Sequence, residues 1–257
     1  HIDGLFIVLD ALAALPHATV HFSHLPQWLS LGALLAGIVW LLPRGFGWRY
    51  ASGLLLLPLL TYQLVRPSSS GDFWLTVLDV GQGLSVVVET AEHTLVYDTG
   101  DKSSDRFDLG QVVLLPYLQH RAIGSIDALV VSHDDRDHAG GLEFVLQTMP
   151  VDRFYSSREG LSPVRHNSLC HDGQSWQWNG VRFEFLHPQE GAEGSDNDLS
   201  CVLKVSNDWQ SVLLTGDIQK KAERSLLKLS ADQLQSSILL MPHHGSTSSS
   251  TEAFIQA

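Results

Sequence analysis

Hydrophobic and polar residues follow two patterns along this chain, and the change falls near residue 70. Before it, Leu25 to Leu42 (LPQWLSLGALLAGIVWLL) runs 18 residues without a charge, and Tyr50 to Val65 (YASGLLLLPLLTYQLV) runs 16. Such lengths stand at the short end of what spans a bilayer. Trp28 and Tyr62 would lie at one interface, with Trp40, Trp48 and Tyr50 at the other. Residues 25–65 are therefore read as a transmembrane helical hairpin. A buried hairpin of a soluble protein is the alternative, since both runs are short and Pro58 interrupts the second. Arg44 and Arg49 in the connecting turn would hold that turn on the cytoplasmic side and leave everything after Val65 outside. In residues 1–24, Asp3 and Asp10 share one face of an apolar helix, which suits an interfacial segment. The chain opens on His1 with no basic run ahead of its apolar residues and closes on TSSSTEAFIQA, as a fragment of a larger protein would.

RPSSSGD, residues 66–72, reads as a linker, and residues 73–257 as a separate domain. FWLTVLDV, SVVVET and HTLVYDTG are β-branched runs, with Gly81-Gln82-Gly83 turning a hairpin between the first two. LGQVVLLPYLQHRAI reads as a helix interrupted by Pro116, DALVVS as a buried strand and GLEFVLQTM as an amphipathic helix. The second half brings strands at DRFYSS, at SWQWNGVRFEFL with its Asn179-Gly180 turn, and at CVLKVSNDWQSVLLTGD. A helix at QKKAERSLLKL and a strand at SSILLMP follow. Two strand-rich halves that each close with helices predict an α/β layered sandwich with helices on its outer faces. No P-loop, Rossmann fingerprint or short repeat points to nucleotide-driven chemistry.

Charge divides the chain at the same place. Up to Ser70 three Arg face Asp3 and Asp10; from Gly71 onward 13 Lys and Arg face 26 Asp and Glu, a net of about −13. An acidic domain is poorly suited to neutralising phosphates over a broad surface. Part of the excess is local, because SHDDRDHAGG, residues 132–141, packs His133, Asp134, Asp135, Asp137 and His138 into six positions. Groups this close repel one another unless a cation compensates them. His133 and Asp135 are two apart in extended chain and point the same way, while Asp137 and His138 fall where a helix begins and turn back toward them. Two further strand ends deliver Asp217, after SVLLT, and His243 and His244, after ILLMP. Three strand-end clusters of His and Asp in one domain form a candidate metal site.

These motifs carry a resemblance. SHDDRDHAGG looks like the H-x-[HD]-x-D-H-x-G-G signature of the metallo-β-lactamase fold, with Asp135 as in the ComEC/Rec2 family of DNA-internalisation competence proteins. LDVGQG, VYDTG, LLTGD and PHHGS occur in the order that family shows. The resemblance implies a metallo-β-lactamase αββα sandwich behind the membrane hairpin. It implies a metal-dependent nuclease degrading one strand of incoming DNA on the extracytoplasmic side of the cytoplasmic membrane, with single-stranded or duplex DNA, the membrane, the rest of the uptake channel and competence proteins as partners.

By position, His133 and Asp135 resemble ligands of a first metal, Asp137 and His138 those of a second, and Asp217 the bridging carboxylate, with Asp137 and Asp217 in the catalytic role. His244 would close the site, leaving His243 to contact substrate. Where relatives supply a further histidine this chain has SDNDLS, so Asp196, Asn197 or water would take that place. Two divalent ions, zinc or manganese, are implied, the carboxylate-rich set shifting preference toward the harder ion. Such a pair, about 4 Å apart, activates water for in-line attack at phosphorus.

The remaining features have plainer readings. His93, His120, His166, His171 and His187 lack ligand spacing; Asp79 and Asp98 sit at strand ends, where a turn or supporting role is expected. Cys170 and Cys201 are either one disulfide or two buried thiols. The Ser/Thr run after Gly245 either touches phosphate or is a mobile loop, and a local groove for DNA would draw on Arg106, Arg136 and Arg165. Hydrolysis of a small phosphoester or other ester, and a non-catalytic cap on a DNA channel, are the competing functions.

Overall fold

The computed structural model describes residues 27–43, 47, 50–58, 69–104 and 107–257. The N-terminal part contains helix α1, Gln27–Leu41, and a 3-10 turn, Ala51–Leu56. At 15 residues α1 is about 22 Å long, well short of a hydrocarbon core of about 30 Å. Among the described residues no helix is long and apolar enough to cross a membrane. Among the described residues neither expected span is seen: Pro43 stops the first two residues beyond Leu41, and residues 59–65 of the second lie outside the described residues. Nevertheless α1 leaves Trp28, Leu31, Leu34, Leu35 and Ile38 exposed, an apolar exterior of the kind that marks an interaction surface. The interfacial segment at 1–24, Arg44, Arg49, Trp48, Tyr62 and residues 66–68 of the linker lie outside the described residues.

The rest of the chain forms two face-to-face sheets. The first has strands β1 (Trp74–Val77), β2 (Val86–Glu89), β3 (Thr94–Tyr97), β6 (Ile126–Val131), β7 (Val151–Ser156) and β8 (His166–Leu169), in the order β1-β2-β3-β6-β7-β8. The second is ordered β13-β12-β11-β10-β9, built from β9 (Ser175–Trp178), β10 (Val181–His187), β11 (Val202–Ser206), β12 (Ser211–Leu214) and β13 (Ile238–Leu239). Strands β4 (Lys102–Ser104) and β5 (Phe107–Asp108) make a separate small ribbon. Pairing is antiparallel from β1 to β3 and from β9 to β12, whereas β3, β6, β7 and β8 run parallel, as do β12 and β13.

Alternation along the strands divides their apolar residues between two layers. Val86, Val88, Leu95, Tyr97, Ala128 and Val130 point between the sheets to meet Trp178, Phe183, Phe185, Leu203, Val205 and Leu214. Val87, Val96, Leu129 and Val131 point outward, against Leu114 and Leu118 and against Leu142 and Val145 of helix α4, Leu142–Thr148. Strands buried on both faces read as unbroken apolar runs, which is why VVVE and IDALVV lack polar alternation. On the outer face of the second sheet, Val202 and Leu213 are covered by Ala222 and Leu226 of helix α5, Lys220–Leu229, and by Phe254. The result is the expected αββα layering.

Several local details differ from the sequence reading. The first hairpin turns through an eight-residue loop, 78–85, not a tight glycine turn. Around Pro116 the chain does not break: a π-turn over Gly110–Leu114 passes directly into helix α2, Leu115–His120. The wider turn accommodates a residue with no N–H to donate. Strand β8 was not foreseen, its side chains being exposed throughout. Cys170, just after β8, and Cys201, just before β11, are joined as a disulfide with Cα atoms 5.8 Å apart, which ties one sheet to the other.

Candidate metal centre

Strands β3, β6 and β12 all end at one rim of the sandwich, and each is followed by a polar residue. Asp98 follows β3 with φ +61, a left-handed conformation that Asp tolerates better than most residues. Its carboxylate is fully buried; it accepts from the Ser132 backbone N–H at 2.6 Å and from Ser132 Oγ at 2.8 Å, and it meets His138 Nδ1 at 2.8 Å. Ser132 and His133 continue β6, and helix α3, Arg136–Ala139, begins after an N-cap at Asp135. The backbone N–H and Oγ of Thr99 both donate to His138 O, so His138 is held from its main chain as well as its ring.

With Nδ1 fixed on Asp98, His138 directs Nε2 at Asp217 Oδ1, 3.1 Å away, and at His244 Nε2, 3.2 Å away. Burial alone would lower the basicity of this imidazole, but the Asp98 charge and the bonds to Asp217 and Asp98 prevail and raise its pKa to about 10. Asp217 follows β12 through Gly216, whose positive φ and close approach to Ser132 and Ser200 leave no room for a side chain. The Asp217 N–H donates to Ser200 Oγ at 3.2 Å. Burial would raise the Asp217 pKa, yet the His138 bond and charge hold it below the usual carboxylate range.

Two three-residue groups result, each with its donor atoms within 4.8 Å of one another: His133, His138 and Asp217, and Asp137, His138 and His244. They share His138. Asp217 Oδ2 lies 3.5 Å from His244 Nε2 and 3.7 Å from His243 Nε2, and so stands between the groups. The hydrogen bond from His244 pulls Asp137 down to about 2, and the same bond raises His244. His243 and His244 both have left-handed backbones, φ +49 and +51, which swing the two imidazoles toward Asp217. Ser248 Oγ contacts His243 Nδ1 at 3.0 Å.

Other residues of the sequence reading stand further out. Asp135 Oδ2 lies 3.3 Å from His133 Nε2, beside the first group but not in it. Asp196 faces Arg158 at 3.9 Å, and Asn197 opens a 3-10 turn, Asn197–Leu199; neither belongs to either group, and Ser200 is what SDNDLS sends to the rim. Asp79 accepts from the Gly81 N–H in a turn, His187 Nε2 contacts Asp198 O at 2.7 Å, and His93 stacks on Trp178 with centroids 4.8 Å apart. Arg136 pairs with Asp101 at 2.9 Å, and Arg106 lies outside the described residues.

Sequence reasoning missed three supports. Ser132 and Ser200 are ordinary serines in sequence, and only the pairing of β3 with β6 and of β11 with β12 makes them partners of Asp98 and Asp217. Glu223 looks like a surface helix residue. It is fully buried and accepts from the backbone N–H groups of Ser250 and Thr251 and from Thr251 Oγ1, so the Ser/Thr segment after Gly245 is tethered.

The donor set fits divalent ions. Imidazole and carboxylate converge from both sheets, and buried His133 Nε2 has no hydrogen-bond partner, although Asp135 is near. An orphaned buried nitrogen in a carboxylate-lined cradle is what a ligand histidine presents when its ion is left out of account. Burial and the neighbouring His138 charge both lower the His133 pKa, which keeps that nitrogen an available lone pair.

Fold and donor set agree with the family match: residues 78–257 fit the metallo-beta-lactamase superfamily, and the chain belongs to it. Among curated relatives, competence protein ComA of Neisseria gonorrhoeae is 39% identical over 228 residues, covering 88% of this chain and 31% of that protein. Recombination protein 2 of Haemophilus influenzae is 35% identical over 79% of this chain and 25% of its own length. An uncharacterized protein of Escherichia coli, YcaI, is 35% identical over 98% of this chain and 33% of its own. The chain spans a third or less of each of these relatives.

Proposed function

We propose that this domain is a metal-dependent phosphodiesterase that degrades one strand of incoming DNA in natural transformation, at the extracytoplasmic face of a membrane-bound uptake channel. The observation that carries the reading is the pair of ligand groups sharing His138, with Asp217 between them at the open rim. Relatives named for competence and recombination support the biological setting. The Cys170–Cys201 disulfide supports an oxidising compartment, and the apolar exterior of α1 supports membrane association.

His133, Asp137, His138, Asp217 and His244 would hold two divalent ions, the one free nitrogen of His138 serving one of them and Asp135 flanking the first. Bound divalent ions supply positive charge that acidifies water and stabilises charge developing on a phosphoryl group. The chain's own part is to keep the donors ready. Asp98 and Ser132 fix the His138 ring, Ser200 fixes the Asp217 backbone, and Asp137 and Asp217 are both held ionised. His243, held by Ser248 and 3.7 Å from Asp217, would contact substrate.

The test is cleavage of end-labelled single-stranded and duplex DNA with manganese, zinc or magnesium, for the chain and for Asp217→Asn and His138→Ala. Metal-dependent cutting lost in both variants is expected. Intact DNA alongside rapid hydrolysis of small phosphoesters or thioesters would move the domain to small-ester chemistry. Absence of both activities with less than one ion per chain would make it a structural cap.

A further inference from the structure

In a domain of about −13 net charge, every cation of helix α5 is exposed and none has a carboxylate partner among the described residues. Lys220, Lys221, Arg224 and Lys228 occupy its outer face; Glu223, its one acid, is buried on the opposite side. Five cations elsewhere in the domain have carboxylate partners, Lys102 with Glu143, Arg136 with Asp101, Arg153 with Asp152, Arg158 with Asp134 and Arg182 with Glu184, while Lys204 donates to the carbonyls of Gln233 and Gln235. Lys220, Arg224 and Lys228 repeat every fourth residue, a spacing at which like charges repel and weaken the helix carrying them. An anionic partner opposite such a row would relieve that repulsion.

Position relates the row to the metal centre. Lys220 lies three residues beyond Asp217; its N–H donates to Ser248 O and its Nζ to Thr247 O, fastening the helix start to the segment that carries His243 and His244. From there the cations proceed away from the rim in steps of about 6 Å, similar to the separation of successive phosphates along one strand. A lipid surface fits less well, because an interfacial helix turns its apolar side outward. Here Ala222 and Leu226 are spent on the sheet, and Leu229 is the one apolar residue exposed beside the cations.

We infer that the outer face of α5 is a backbone track for a single nucleic-acid strand, leading its phosphates to the metal centre. This rests on the phosphodiesterase reading and explains how an acidic domain engages DNA: the negative charge lies elsewhere, and a short unpaired row suffices for sequence-independent contact. It also moves the groove away from Arg136, which is already paired.

The test uses Arg224→Gln/Lys228→Gln, which leaves Lys220 and all metal-centre residues in place. Binding of a fluorescein-labelled oligothymidylate is followed by anisotropy in EDTA over a salt series, so that cleavage plays no part. For two lost phosphate contacts on a single strand, the slope of log affinity against log salt should become shallower by about 1.4. Hydrolysis of bis-p-nitrophenyl phosphate with metal restored should be unchanged. An unaltered slope, no binding by the parent chain, or capture of phosphatidylglycerol vesicles in preference to the oligonucleotide would overturn the track. Parent binding with the expected slope but no DNA cleavage under any metal would leave the track standing and sink the nuclease reading; cleavage with an unaltered variant slope would do the reverse.

Discussion

The Asp98 carboxylate lies 2.8 Å from His138 Nδ1, and both side chains are fully sealed from solvent. A carboxylate behind a ligand imidazole fixes its tautomer and raises its donor strength. Asp98→Asn keeps the shape and removes the charge. Metal affinity should fall roughly 10–100-fold, as such supporting partners do. Competition against a chromophoric chelator measures it, and unchanged affinity in a folded variant would show that Asp98 only packs.

The same pair governs protons. With its pKa raised to about 10, His138 is charged at neutral pH in the metal-free protein, whereas a ligand imidazole must be neutral. Metal binding near pH 7.5 should therefore expel a proton from His138, seen as a dependence of the calorimetric enthalpy on buffer ionisation heat. For a raised imidazole, the stabilisation is complete below the unfolded value of about 6.5 and disappears as pH climbs through the folded value. The thermal midpoint of the metal-free domain should accordingly decline between about pH 6.5 and 10. A flat profile would contradict the ionised pair.

Gly83 explains why the first hairpin loop is long. It has φ +119, and a Cβ there would collide with Asp137 O, while the neighbouring Leu84 N–H donates to that same oxygen. Gly83→Ala must therefore displace the loop from helix α3. A loss of about 1–3 kcal/mol in urea unfolding is expected from overpacking and the left-handed backbone. Weakened metal binding should accompany it, because the shifted carbonyl belongs to Asp137.

Cys170 and Cys201 link the two sheets beside the metal rim: the Cys201 N–H donates to Ser132 O, and Tyr97 Oη donates to Cys201 O. Replacing both cysteines by serine should cost about 2–5 kcal/mol. The oxidised parent should release no free thiols to Ellman's reagent unless it is first reduced. Equal stability of the parent and the serine variant would remove the bridge from the account.

Much of this was legible because apolar strands deliver their polar ends to one place. VVSHDDRDH, LLTGD and LLMPHH each carry donors directly after an apolar run, so His133, Asp137, His138, Asp217 and His244 could be grouped before any fold was known. Asp98 could be placed at a strand end, though its bond to His138 depends on the parallel pairing of β3 with β6. Ser132 and Ser200 carry no signal, since a serine gains meaning only from what closes over it. Glu223 is hidden for the opposite reason: in a cationic helix it resembles a surface salt-bridge residue, whereas it faces inward to hold Ser250 and Thr251. In the N-terminal part the first apolar run does form a helix, Gln27–Leu41, and Pro43 marks a local stop that hydropathy does not register.

The covalent link between Cys170 and Cys201 also bears on ion exchange. Ions drawn away from His133 and Asp217 would remove one clasp across the seam and leave another fastened next to it. An emptied cradle would thus keep its outline and could be refilled without the two halves having to find each other again.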